Sequence, residues 1–416
     1  MNAHDKLFET INNKTLNKIL FVLLIVFDFY FMYIQWGKYP PRNYFTAFIS
    51  ILAFFELFQL GWTSFLNRYK ISILITAFPI FYAVLSGLFS PEYHFNLKNF
   101  LRLSTLAFSM QYLCPKVEKD FIVKTVLSVV GISLFVAFLQ LVVPEIGWGI
   151  RKAMDLKTFL LLGHIKRPAG LAYFTLTLSE QALIAFPLFL VFLDKRKINK
   201  YLKPLLIIIP IILFVFINSR GLILGSIICF IVMKYKKLLK HWKIYTTVGV
   251  ALTLILYFYS RTFQFEIGND GLRIDVLRVC YVLIRDNFFL GIGTEALQLK
   301  EAIIEASSQI SNLLLPNAIG WITPHNYLIN MQIEYGIVGL LLNIYLLALL
   351  ARQRITIALF IGVLFNAQFH NGGIMNSTTI MIGYFIATSY ILSPGLAQNS
   401  DVTEENEELD ELEFQH

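Results

Sequence analysis

Charged residues are scarce in this chain: they make up 15% of its 416 residues, while 56% are hydrophobic. Soluble domains carry about 25% charged residues. A soluble fold this apolar would have too few polar side chains to cover its surface, whereas a chain solvated by lipid has no such surface to cover. Cysteine is nearly absent, at Cys114, Cys229 and Cys280. Cys229 lies in an apolar run, and the other two fall on opposite membrane sides in the topology below. We therefore expect no disulfide and no thiolate metal site. Internal repeats and low-complexity stretches are missing. The polar segment Met1–Lys18 is followed by an apolar run with no small-residue cleavage site, so that run is expected to be a retained helix.

What the chain has in abundance is long apolar runs and aromatics, including 38 Phe and 20 Tyr. Runs long enough to span a bilayer, or nearly so, fall near 19–36, 43–61, 71–89, 97–113, 121–143, 171–193, 201–217, 221–233, 244–259, 326–350, 355–369 and 374–392. The expectation is an all-α polytopic membrane protein with about 12 transmembrane helices. The net charge of +8 could suggest nucleic acid, but the Lys residues cluster in short segments between the runs, which is a topology signal instead. Five Lys/Arg lie in Asp194–Lys203, five Lys in Lys234–Lys243 and two Arg in Ala351–Arg354. Placing these inside puts residues 1–18 in the cytoplasm. Helices one to nine then occupy 19–259, an extracytoplasmic loop 260–324, helices ten to twelve 325–392, and an acidic tail 393–416 the cytoplasm again. A second outside segment runs over about 144–170. The outside segments use Arg repeatedly: Arg151, Arg167, Arg220, Arg261, Arg273, Arg278 and Arg285. Lys suffices for topology, while the planar guanidinium also suits oxyanions. Lipid headgroups or local carboxylates would take up the same residues.

Within the outer loop, Asn269-Asp270-Gly271 reads as a turn and cap, and Leu272–Asp286 as an amphipathic helix. Leu272, Val276, Val279 and Leu283 share one stripe, and Arg278 and Arg285 lie seven apart on one side. Gly291-Ile292-Gly293 reads as a turn, because the strand–turn–helix context of a dinucleotide site is missing. Thr323 is a candidate N-cap with Pro324 in the first helical position. His325 would then lie in the first turn of a span, where the helix dipole favours the neutral imidazole, a form suited to take a proton from a hydroxyl. Binding headgroups or capping the loop are its other uses. Asp28, Glu56 and Glu180 fall inside apolar runs. Contacts between helices are the favoured reading for Asp28 and Glu56, and sugar hydrogen bonding is open to Glu180. His370-Asn371-Gly372-Gly373 reads as a tight outer turn.

Several of these residues carry a family resemblance. Gly271-Leu272-Arg273, a helical stretch and then Asn287-Phe288-Phe289-Leu290-Gly291-Ile292-Gly293 resemble the signature of the bacterial O-antigen ligase and polymerase superfamily. His325-Asn326, followed after nine residues by Gly336-Ile337-Val338-Gly339, does so too, as does Asn218-Ser219-Arg220-Gly221. The resemblance is strongest over about 200–345. Arg167-Pro168-Ala169-Gly170 is similar to an upstream family segment but lacks the Asn-Pro that often follows it. Leu277 stands where an aromatic is usual.

The resemblance implies a glycosyltransferase on the outer face of the bacterial inner membrane. The donor would be an undecaprenyl-diphosphate-linked oligosaccharide, and the acceptor a sugar hydroxyl of a glycan or lipid-linked glycan. It implies His325 as the base and Arg220 and Arg273 as diphosphate ligands, with Arg167, Arg278, Asn326 and Glu180 as accessory residues. No Asp-x-Asp pair occurs, so neither metal nor cofactor is expected. Membrane lipids and a chain-length regulator are the expected partners, and nucleic acid is not. A repeat-unit polymerase is preferred slightly over a ligase acting on lipid A-core, because the basic segment 144–170 could hold a second lipid-linked chain. A lipid-linked oligosaccharide transporter is the rival class, but such proteins show repeated halves with matching broken helices.

Overall fold

The computed structural model describes residues 13–31, 40–89, 96–151, 167–172, 174–199, 201–217, 220–240, 267–293, 296–310, 313, 326–349, 356–358, 361–362 and 377–391. Among them there is no β-strand. The protein is an all-α membrane protein, as its composition requires: in hydrocarbon a helix satisfies its own backbone polar groups.

The helices are α1 (Lys14–Tyr30), α2 (Pro41–Leu60), α3 (Trp62–Phe89), α4 (Leu97–Leu113), α5 (Lys119–Val142), α6 (Pro144–Ile150) and α7 (Thr175–Lys195). They continue with α8 (Leu202–Ile217), α9 (Arg220–Lys240), α10 (Ile267–Asp286), α11 (Ala296–Ser308), α12 (Tyr327–Ala348) and α13 (Thr378–Ile391). Four of these, α2, α5, α7 and α12, are long and apolar enough to cross a membrane; α8, residues 221–234 of α9 and residues 378–389 of α13 are shorter apolar helices. The run at 244–259 lies outside the described residues, and 355–369 lies largely outside them.

Local chemistry sets several helix starts. The Asn13 side chain accepts from the backbone N–H groups of Thr15 and Leu16, and that of Asn96 from Asn99 N, while α2 starts with Pro41 in its first position. Pro79, Pro187 and Pro210 lie inside α3, α7 and α8, a placement that membrane helices tolerate because neighbours re-satisfy the freed carbonyls. The most central of the four crossing helices is α7. Of its most apolar 18-residue stretch 78% is buried, against 28% for α2. It packs against α5, α8, α9 and α13, whereas α2 turns Phe48, Phe54, Phe55 and Phe58 outward, as a lipid-facing helix does.

The polar contacts sort the helix ends into two sets. One end joins Lys18 to Glu118 (3.0 Å), Lys195 to Asp120 (3.2 Å), and Lys203 and Lys234 to Asp194. The buried Glu56 belongs there too, with Lys116 at 2.6 Å, Arg68 at 3.4 Å and the Tyr69 hydroxyl donating at 2.6 Å. The other end holds Asp28 against Arg42 at 3.1 Å. Asp28 and Glu56 thus make helix-to-helix contacts, as expected of them. The two sets match the two sides read from the Lys clusters, and those clusters alone carry the assignment of the first set to the cytoplasm.

Candidate functional site

The helix expected after Asn269-Asp270-Gly271 forms where the stripe predicts it but starts earlier. α10 begins at Ile267, so Asn269, Asp270 and Gly271 lie inside it and do not turn the chain. These residues favour caps locally, but the packing of the following turns carries the helix through them. Val276, Val279 and Leu283 are buried with Cys280 and Val282, against Ile303 and Ala306 of α11 and Ile333 of α12. Burial pushes the Cys280 thiol up to about 12, which leaves it a packing group. Arg278 and Arg285 both point outward. Arg278 lies 3.6 Å from the buried Asp275 carboxylate, and Arg285 pairs with Asp286 at 2.7 Å. A shallow groove of about 430 Å³ is lined by Leu277, Arg278, Tyr281, Val282 and Ile310. Arg273 lies on α10 one turn before Val276.

α12 begins at Tyr327, and its N-cap is Asn326, whose side chain accepts from Ile329 N at 3.1 Å. Thr323 is therefore not the cap, and the helix starts after His325 instead of including it in the first turn. Asn326 serves as well as Thr for this bond, and its position three residues later wins. His325 itself lies outside the described residues.

The turn after α10 locks onto α12. Gly336 has φ 61° and ψ −163°, which breaks the helix there. In an unbroken helix Ile337 N would donate to Ile333 O. Here it donates to Phe288 O (2.9 Å), and the freed carbonyls of Ile333 and Glu334 accept from Ile292 N (2.8 Å) and Gly293 N (3.2 Å). Gln332 Nε2 also donates to Phe288 O (2.9 Å), and the Tyr82 hydroxyl of α3 donates to Leu290 O. A Cβ at Gly336 would overlap the Phe289 carbonyl, and one at Gly291, where φ is 64°, would overlap that of Ile333. The glycines of the two motif segments are therefore paired by close backbone approach. The sequence reading took Gly291 as a turn and missed this interlock. It also passed over Glu334, a half-buried carboxylate inside the span. The signal for Glu334 was the same as for Glu180.

Upstream, Arg167-Pro168-Ala169-Gly170 is bound to α5. Gln140 Oε1 accepts from Ala169 N (3.0 Å) and Gly170 N (2.9 Å), and Ser133 Oγ accepts from Leu171 N (3.0 Å). Arg167 Nε donates to Ile217 O at 3.3 Å, at the end of α8. In the chain, α9 begins at Arg220, three residues after Ile217. Glu180 is buried on α7 and accepts from Ser377 Oγ at 2.8 Å. The next residue, Thr378, accepts from Arg42 at 3.2 Å, and Asp28 is within electrostatic reach of Glu180. The expected residues thus fall into three groups: Arg167 at the end of α8, Arg273 and Arg278 on the helix that packs against α12, whose N-cap is Asn326, and Glu180 in a buried polar cluster.

An all-α membrane protein with a helix, α10, locked to a broken apolar helix, α12, is the class so defined. Within it, residues 205–344 match the family model described as O-Antigen ligase, which covers α8 to α12 and supports the O-antigen ligase and polymerase superfamily. No curated protein matches the chain.

Proposed function

We propose that this protein is a lipid-diphosphate-dependent glycosyltransferase acting on the outer face of the bacterial inner membrane. The observation that supports it best is that the family match contains Arg220, Arg273 and His325 together with the interlocked glycine segments. In this reading the acceptor hydroxyl attacks the anomeric carbon of the undecaprenyl-diphosphate-linked glycan. The new C–O bond forms as the bond to the diphosphate breaks. His325 takes the hydroxyl proton, and Arg220 and Arg273 hold the charge on the departing lipid diphosphate. Because α10 packs on α12, the helix carrying Arg273 is held against the one that begins just after His325. Arg167 ties the upstream segment to the end of α8, three residues before Arg220, and the isoprenyl chain stays in the bilayer.

Joining repeat units is preferred over ligation to lipid A-core, which the family description keeps as the second reading. The lipid-linked glycans of a deletion strain decide between them. Single units accumulate when a polymerase is lost, and long unligated chains when a ligase is lost. Units confined to the cytoplasmic face would favour a transporter and sink both readings. Arginine as the main diphosphate partner predicts that purified protein transfers glycan in EDTA. Loss of transfer in EDTA, restored by magnesium, would refute that assignment.

A further inference from the structure

The turn Asn287–Gly293 belongs to a loop that the sequence places outside the membrane, yet its partners lie well inside two spans. A hydrocarbon core of about 30 Å takes about 20 helical residues. Counted back from Ala348, such a span ends near Ile329, so Ile333–Ile337 lie roughly 6–12 Å below the outer boundary. An independent count on α3, from Lys70 to Phe89, puts Tyr82 about 10 Å below the same boundary. Both contacts of the turn therefore give one depth.

We propose that residues 287–293 form a re-entrant turn seated in the outer leaflet, with Phe288 and Phe289 facing its acyl chains. Irregular backbone at membrane depth must have its polar groups bonded to protein. Here the Phe288 carbonyl accepts from both Ile337 N and Gln332 Nε2, the Leu290 carbonyl accepts from the Tyr82 hydroxyl, and the Phe289 carbonyl lies 3.4 Å from that same hydroxyl, while the N–H groups of Gly291, Ile292 and Gly293 donate to the carbonyls of Asn287, Ile333 and Glu334. The broken helix supplies the groups that a helix-bonded α12 would have kept for itself. The side chains agree with the depth, since Phe289 is 71% and Phe288 44% exposed. Leu277 and Tyr281, at helical spacing with Phe288, extend the exposed apolar stripe up α10. α10 thus has two apolar faces: one covers its own small core, and the other is left for lipid. Arg278 and Arg285 border that second face along one side, where an interfacial helix meets headgroups.

Spin labels on the full chain in nanodiscs without glycan donor test this. The three native cysteines are buried. Labels at Phe289→Cys and Tyr281→Cys are compared with labels at Glu301→Cys and Glu305→Cys, exposed positions on α11. Oxygen partitions into bilayers and a nickel chelate into water. Phe289→Cys should relax preferentially with oxygen, Tyr281→Cys should lie shallower, and the α11 labels should relax with nickel. A Phe289→Cys label that relaxes mainly with nickel, or with neither reagent because protein covers it, overturns the proposal. None of these readouts depends on the transferase reading.

Discussion

The two ends of the helical bundle are held by different chemistry. At the Lys-rich end, ion pairs such as Lys18–Glu118 and Lys195–Asp120 are largely exposed, and each is worth about 0–1 kcal/mol. At the other end, buried side chains grip backbone or one another. Gln140 holds the 169–170 backbone, Tyr82 and Gln332 hold the 287–293 turn, and Arg42 joins Asp28 to Thr378. Bonds to backbone fix positions, whereas exposed pairs between flexible side chains tolerate displacement. The end with fixed geometry is the end that carries the candidate site. Glu56, buried among Lys116, Arg68 and Tyr69, is the exception at the Lys-rich end.

The sharpest test asks whether the gripped end is also the reacting end. His325→Gln keeps hydrogen bonding but cannot take a proton. Turnover should fall on the order of 10²–10⁴-fold while donor binding survives, as measured by single-turnover kinetics and lipid-donor titration. Near-normal turnover at normal protein level would return His325 to a structural role.

Next in size is Arg42→Ala. It leaves the Asp28 carboxylate buried without its ion-pair partner and should cost about 3–5 kcal/mol, read as a large drop in Tm in detergent. An unchanged Tm would show that water reaches this cluster.

Gly336→Ala should cost about 1–3 kcal/mol from its positive φ alone, and more from the overlap with Phe289. The control is Gly131→Ala in α5, where nothing lies within 4 Å of an added Cβ. That change should be neutral or slightly stabilising, since Ala exceeds Gly in helix propensity by about 1 kcal/mol. Equal Tm values for the two variants would mean that the interlock is not rigid.

The smallest effect belongs to Lys195→Ala, which should shift stability by no more than about 1 kcal/mol because its pair with Asp120 is exposed. A loss comparable to that of Arg42→Ala would erase the contrast between the two ends.

The amino-acid sequence by itself determined the all-α membrane class. Its scarce charge and long apolar runs leave hydrocarbon as the only suitable solvent, and hydrocarbon admits helices. Helical spacing also marked Val276, Val279 and Leu283 as the inner face of the loop helix, with Arg278 and Arg285 outside. Where α10 and α12 start was not legible, because Asn269 and Thr323 have cap chemistry that competes on nearly equal terms with neighbouring positions. Only the tertiary structure decided that Gly291 and Gly336, 45 residues apart in the chain, meet backbone to backbone. The same holds for Arg167 reaching the end of α8, and for Ser377 and Thr378 linking Glu180 to Arg42 and Asp28. Periodicity records which face of one helix is apolar, but it holds no record of which backbone groups are left over for another segment. That depends on where a helix breaks and on what lies against the break.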